Sequence, residues 1–141
     1  MKLVDANVLL YAVNEDAEHH ERARGWLDAA LSGGDTVGFS WVVLLAFIRL
    51  TTRRDLFDRP LSPTLALDIC EGWLGSRSAV VVEPTVAHLP VVRRLIDSVG
   101  RAGNVVNDAH LAALALEHRG VVVTFDRDFA RFSGVAWQLP D

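Results

Sequence analysis

Cysteine and lysine are almost missing from this chain: Cys70 is the sole thiol, and Lys2 is the sole lysine among 14 basic residues. One cysteine cannot close an internal disulfide, so a scaffold stapled by disulfides is excluded and a reducing cytoplasm is the expected setting. No apolar run approaches the roughly 20 residues that a membrane helix needs. The start of the chain shows no basic, apolar and small-residue order of a secretion signal. A glycine-rich phosphate loop ending in Lys-Ser/Thr is absent too, which argues against a nucleotide switch of that kind. Positive charge is also scarce, because the net charge is −4. A protein that holds nucleic acid by overall basicity is therefore excluded, and any such contact must be local.

What is present is a chain of 141 residues, half of them hydrophobic and 23% charged. That length suits one domain over 1–141, able to bury roughly 68–70% of the surface its unfolded form exposes. Short apolar strands are expected at 2–4, 36–39, 79–82, 121–124 and 135–138. Helical patterns separate them at 7–14 with Asn7 as cap, 19–31, 41–52 with Ser40 as cap, 64–74, 84–99 and 105–118. Pro90 would move the start of the 84–99 helix forward, since proline is tolerated only in a first turn. Gly120 is placed as a C-terminal stop. Strands alternating with helices imply an α/β fold: a mostly parallel central sheet flanked by helices in three layers. The helix at 41–52 reads WVVLLAFI and is apolar almost all round, so it needs cover on two sides.

Four aspartates, far apart in sequence, stand where strands end or helices begin: Asp5, Asp108, Asp126 and Asp128. Ligands of an open parallel sheet bind outside the carboxyl ends of its strands, and the four read as one acidic pocket. Each has a plainer role open to it. Asp5 suits a helix cap, Asp126 and Asp128 suit a turn, and Asp108 suits the positive end of a helix dipole. Together they need four coincidences at one sheet edge. Charges about 4 Å apart repel by about 1 kcal/mol per pair in water and about 4 at an effective dielectric of 20. A cation would relieve that repulsion. All-oxygen ligation suits Mg²⁺ or Mn²⁺, which polarise phosphoryl oxygens and activate water for phosphodiester hydrolysis. His110 is a candidate proton donor at the rim as well as a plain packed histidine, and His19, His20, His88 and His118 lack ligand spacing. A phospho-receiver or aspartyl-phosphate enzyme also places an aspartate after its first strand. Such folds keep a lysine near the phosphoryl group, whereas Lys2 precedes Asp5 on the same strand.

The segments DANVLLYAV at 5–13, NDAHLAALALEH at 107–118 and VVVTFDRDF at 121–129 resemble the three landmark segments of PIN-domain ribonucleases. The resemblance is greatest to the VapC toxins of bacterial toxin–antitoxin pairs, and it extends over essentially the whole chain. It implies a Mg²⁺- or Mn²⁺-dependent endoribonuclease, dimeric, acting on RNA and neutralised by a VapB-like antitoxin. Asp5, Asp108 and Asp126 would be its catalytic and metal-holding carboxylates, with Asp128 supporting the metal. Asn7 and Thr124 would orient carboxylates or water from behind. Arg49, Arg53 and Arg54 would contact RNA phosphates or the antitoxin. One landmark is missing: where the family usually carries a glutamate on the helix after the second strand, this chain has Ala46. That loss leaves a second expectation open, a weakly active or inactive PIN-fold module that serves as a binding partner.

Overall fold

A computed structural model describes residues 1–141. The chain runs β1 (Lys2–Val4), α1 (Ala6–Val13), α2 (His20–Ser32), β2 (Val37–Phe39), α3 (Trp41–Thr51), α4 (Pro63–Leu74) and β3 (Ala79–Val81). It continues through α5 (His88–Val99), α6 (Val105–Glu117), β4 (Val121–Val123), a 3₁₀ turn (Arg127–Arg131) and β5 (Trp137–Gln138). The five strands form one sheet in the order β3-β2-β1-β4-β5. Every adjacent pair is parallel.

Strand order fixes where a ligand can sit. From β1 the chain steps outward to β2 and β3, then returns across the sheet to β4 on the other side of β1. α1 packs with α2 and α3, α3 with α4, and α5 with α6, the grouping expected if right-handed crossovers in opposite directions place the first four helices and the last two on opposite faces. The direction of winding reverses between β1 and β4, and the crevice outside their carboxyl ends is the expected binding position. Leu3, Val4, Val122 and Val123 are buried in this centre. α6 packs close because Ala109, Ala112 and Ala113 are small and fully buried.

The elements match the sequence reading, with boundary differences that have physical causes. α1 starts at Ala6, not Asn7: Asp5 is extended, and its Oδ1 accepts from the Ala6 amide at 2.7 Å, so Asp5 is the cap. α5 begins at His88, which places Pro90 within its first turn. The last strand is two residues long rather than four. Gly120 does not end α6 through a left-handed backbone. Arg119 takes that conformation at φ 53°, whereas Gly120 is required by closeness, since a Cβ there would lie 2.3 Å from Leu3 Cδ1. α3 is only partly covered: Val43, Leu44 and Phe47 are buried, while Trp41, Val42 and Leu45 remain exposed. No helix is long and apolar enough to cross a membrane.

Candidate active site

The parallel register of β1 and β4 builds the centre of the site. Val4 lies beside Val123, so the next residues, Asp5 and Thr124, emerge together at the sheet's carboxyl edge. The Asp5 amide donates to Val123 O at 3.0 Å and holds that alignment. Thr124, fully buried, donates its hydroxyl to Asp5 Oδ2 at 2.7 Å. The same Thr124 oxygen accepts from Asn7 Nδ2 at 3.0 Å and from the Asp126 amide at 2.9 Å. Asn7 also donates to Asp5 Oδ2 at 3.1 Å, and its Oδ1 accepts from the Phe125 amide at 3.1 Å. Asn7 and Thr124 therefore lock the end of β4 to the start of α1. Their bonds hold the Asp5 carboxylate and the Asp126 backbone in place from behind.

Asp126 starts the 3₁₀ turn, its Oδ1 accepting from the Asp128 amide at 2.8 Å. This makes Asp128 an exposed residue of the turn, well outside the buried cluster. Asp108 projects from the first turn of α6 and meets Arg131 instead of a free space, with Nη2 to Oδ2 at 2.7 Å. Arg131 also lies 4.0 Å from Asp128 and stacks its guanidinium 5.1 Å from the Phe132 ring centroid. Sequence reasoning passed over Arg131. Its one signal was a cation five residues after Asp126 on a tight turn.

Asp5, Asp108 and Asp126 lie near enough along the sheet's carboxyl edge to act on one another's charge. They line two adjoining recesses, and Asp108 belongs to both. One is bordered by Asp108, Asp126, Asp128, Arg131, Arg101 and Asn104. The other is bordered by Asp5, Asp108, Ala46, Arg49, Asn107 and His110. Ala46 faces the second recess as expected for the missing glutamate, and its neighbour Phe47 is buried in the core. Of the three arginines, only Arg49 reaches this site. Arg53 is exposed and pairs with Asp55, and Arg54 is exposed beyond the end of α3.

Electrostatics show that the carboxylates feel one another. Burial and then the neighbouring Asp5 push Asp108 up to about 6, with Asp126 adding to the rise and Arg131 opposing it. Burial is also the main reason Asp5 is raised, against donors from Thr124 and Ala6. The oxygen-only donor set fits a hard divalent cation in chemistry. Its spacing is that of a cleft balanced by Arg131, because no three acidic or histidine side chains already converge at ligand distance. Asp108 in the folded metal-free protein binds protons up to about pH 6, against 3.8 as its ordinary value. The folded state thus holds more protons than the unfolded state between those values, and this carboxyl's contribution falls as pH rises through that window. Melting curves of the metal-free protein and an Asp108→Asn variant should show the variant gaining relative stability from pH 4 to pH 7.

The fold and cleft define an α/β protein with an acidic edge at a parallel-sheet switch point. The chain belongs to the PIN-domain family, whose model matches residues 2–135. It is 56% identical over 140 residues to Ribonuclease VapC37 of Mycobacterium tuberculosis, covering 99% of this chain and 97% of that protein. It is 37% identical over 140 residues to Ribonuclease VapC43 of the same species, covering 99% of this chain and 95% of that protein. Among solved structures it resembles the one described as VapBC2 from Rickettsia felis bound to a promoter DNA fragment. That match has a TM-score of 0.69 at 19% identity, over 99% of this chain and 98% of the other. It also resembles Mycobacterium tuberculosis VapC20, described as a sarcin-ricin loop cleaving toxin. There the TM-score is 0.66 at 19% identity, covering 96% of this chain and 97% of that one.

Proposed function

We propose that this chain is an endoribonuclease toxin that hydrolyses RNA phosphodiester bonds with a divalent cation, Mg²⁺ or Mn²⁺. The observation that carries it is the Asp5–Asp108–Asp126 edge, in which Asp108 is pushed to about 6 by burial and by its neighbours. The relatives named ribonucleases, similar from end to end, support the same reading. Asp5, Asp108 and Asp126 would hold the cation, with Asp128 at its margin. The cation supplies polarisation of a phosphoryl oxygen and a more acidic water. The chain's own part is to place those carboxylates. Thr124 and Asn7 fix Asp5, and the turn amides fix Asp126. Arg131 is the balancing charge: while it holds Asp108 the cleft is tolerable without a cation, and once released it faces the recess where a phosphate would lie.

The test is cleavage of tRNA, ribosomal RNA and mRNA by the purified chain. EDTA should abolish it and added Mg²⁺ or Mn²⁺ restore it. Cleavage that persists in EDTA overturns the mechanism.

A second feature favours a partner. Trp41, Val42 and Leu45 on α3 form an exposed apolar face. Trp41 is only tethered at its edge, donating from Nε1 to Glu83 Oε1 at 2.9 Å. A VapB-like antitoxin is the proposed occupant, as the solved relatives described as VapBC complexes suggest. Co-expression with a small neighbouring reading frame should raise soluble yield, and Leu45→Glu should remove the gain. If no RNA is cleaved under any metal condition while that gain persists, the chain is a partner-binding module that keeps the fold without the chemistry.

A further inference from the structure

The recess bordered by Asp5 and Asp108 has a second character that the carboxylates do not use. Beside its acidic end it carries a row of apolar side chains, Val42, Ala46 and Leu50. These stand four residues apart on α3, a spacing that sets them one above the other on one face of the helix. All three keep open surface, unlike Val43 and Phe47, which are buried in the core. Ala46 is the smallest member of the row, and a longer side chain at that place would fill part of the recess. α6 contributes Asn107, whose planar amide offers both donors and an acceptor. Arg49, from the last turn of α3, stands exposed at the border.

The recess measures about 210 Å³, the share of about seven waters at about 30 Å³ each. That is below the roughly 300–1,000 Å³ of a pocket for a drug-sized molecule and well above what a lone ion fills. A nucleotide bound at the acidic edge brings three kinds of group within reach of such a space. Its phosphate is an anion, and Asp5 and Asp108 repel it wherever no cation lies between them. Its ribose is polar around most of its rim and gains little from apolar walls. Its base alone combines two broad apolar faces with a polar edge, as the recess combines an apolar row with the Asn107 amide. Inside a duplex those faces and that edge are already occupied, so only a base that has left its stack and its pair can enter.

We propose that the Ala46 recess is a subsite for one unstacked nucleobase of the RNA, the base beside the phosphate held at Asp108. Val42, Ala46 and Leu50 cover its face, Asn107 meets its edge, and Arg49 takes the neighbouring phosphate. This rests on the ribonuclease reading for its ligand, yet its test needs no turnover. The test turns on Ala46 and not on Val42, which also belongs to the exposed face of α3.

Competition anisotropy in low salt and EDTA would displace a labelled RNA with a short single-stranded RNA, and with the same ribose-phosphate strand carrying no bases. A strand with no base at all cannot shift register to hide the loss. The wild-type protein should favour the base-bearing strand by about five- to thirtyfold, the scale of one stacked base. Ala46→Met, which fills the recess, should bring that strand to within about twofold of the base-free one and leave the base-free affinity unchanged within the same margin. The recess and the base then behave as one interaction, because their losses do not add. Ala46→Val should fall between. Arg49→Gln should weaken both strands alike and lower the log-log salt slope by about 0.7, the share of one phosphate on a single strand.

Melting curves identify any variant that fails to fold, and the wild-type comparison of the two strands stands without variants. Wild-type protein that binds both strands equally, or neither, overturns the proposal. So does an Ala46→Met variant that keeps the wild-type preference or that weakens both strands by one factor, and an unchanged salt slope in Arg49→Gln removes Arg49 from the subsite. Failure of the ribonuclease reading is separate: it would appear as base-selective binding that Ala46→Met abolishes, with no cleavage in any metal.

Discussion

Asp5→Asn is expected to lower RNA cleavage by at least about a hundredfold while the fold stays in place. Changes to groups that only orient metal ligands typically cost about 10- to 100-fold, so loss of a ligand's own charge should exceed that range. The fold should tolerate the change for two reasons. The Asn side-chain oxygen can still accept from the Ala6 amide and cap α1, the bond that Asp5 makes at 2.7 Å. The buried negative charge, which burial already disfavours in Asp5, is removed. The offsetting loss lies at Oδ2, where donors from Thr124 and Asn7 converge. An amide nitrogen there would face two donors, and the Thr124 hydroxyl must rotate. Cleavage of a quenched fluorescent RNA gives the activity, and calorimetry with Mn²⁺ gives the affinity. Asn7→Ala is the internal reference, since it leaves all three acidic groups intact and should fall within the smaller range. Asp5→Asn protein that cleaves within about threefold of the wild type, or that binds Mn²⁺ equally well, would remove Asp5 from the metal site.

The contrast between Asp5 and Arg131 shows how the site was readable in part. Asp5, Thr124 and Asp126 lie at the ends of two short apolar strands, and strand ends are legible because the change from Val to polar residues is abrupt. Parallel pairing of β1 with β4 then does the rest, placing Asp5 beside Thr124 with no further information needed. Asp108 was legible from the first turn of a strongly apolar helix. Arg131 was not, because its position depends on a 3₁₀ turn that reverses the chain after Asp126, and nothing in local composition says which way such a turn points. Which residues border Asp108 on each side was hidden for a related reason. Spacing can report that residues reach one edge of a sheet, but the angle at which α3 and α6 cross that edge decides which of them face each other.

Glu117, His88 and His110 touch in sequence, through His88 Nδ1 and Nε2, and illustrate a different limit. His110 and Glu117 are seven residues apart on one helix, a separation that puts them on the same face two turns apart. Neither position has a meaning until His88, from the start of α5, is placed between them. α5 was also the helix whose beginning the sequence left ambiguous between Pro84 and Pro90. With the start at His88, the imidazole projects from the first residue of the helix toward α6, which α5 packs against. Arg53 and Arg54 lie away from the recess that Arg49 borders, for the complementary reason. The sequence places them at or beyond the end of α3, and the helix ends at Thr51, so the chain turns away before they can follow Arg49 to the recess.

Phe129→Ala is expected to have the opposite profile to Asp5→Asn, with the largest loss in stability and the acidic groups all retained. Phe129 ends the segment T-x-D-x-D-F, is fully buried within the 3₁₀ turn, and packs edge-on against Phe132 with centroids 5.7 Å apart. Truncating a buried phenylalanine to alanine typically costs about 3–5 kcal/mol, against about 5–15 kcal/mol for a whole domain. For a chain of this size that corresponds to a fall in Tm of roughly 10–20 °C. Phe132 carries Arg131 above its ring at 5.1 Å, so a loosened Phe129 also loosens the cation that holds Asp108. Urea unfolding followed by tryptophan fluorescence gives the stability, and Phe129→Leu, which refills most of the volume, should recover more than half of it. An Ala variant that unfolds within about 1 kcal/mol of the wild type would mean that the turn is anchored by its hydrogen bonds alone. In that case the aromatic ring of the segment would belong to the chemistry, and the aspartates on either side of Arg127 would owe their positions to Thr124 and the turn amides without help from the core.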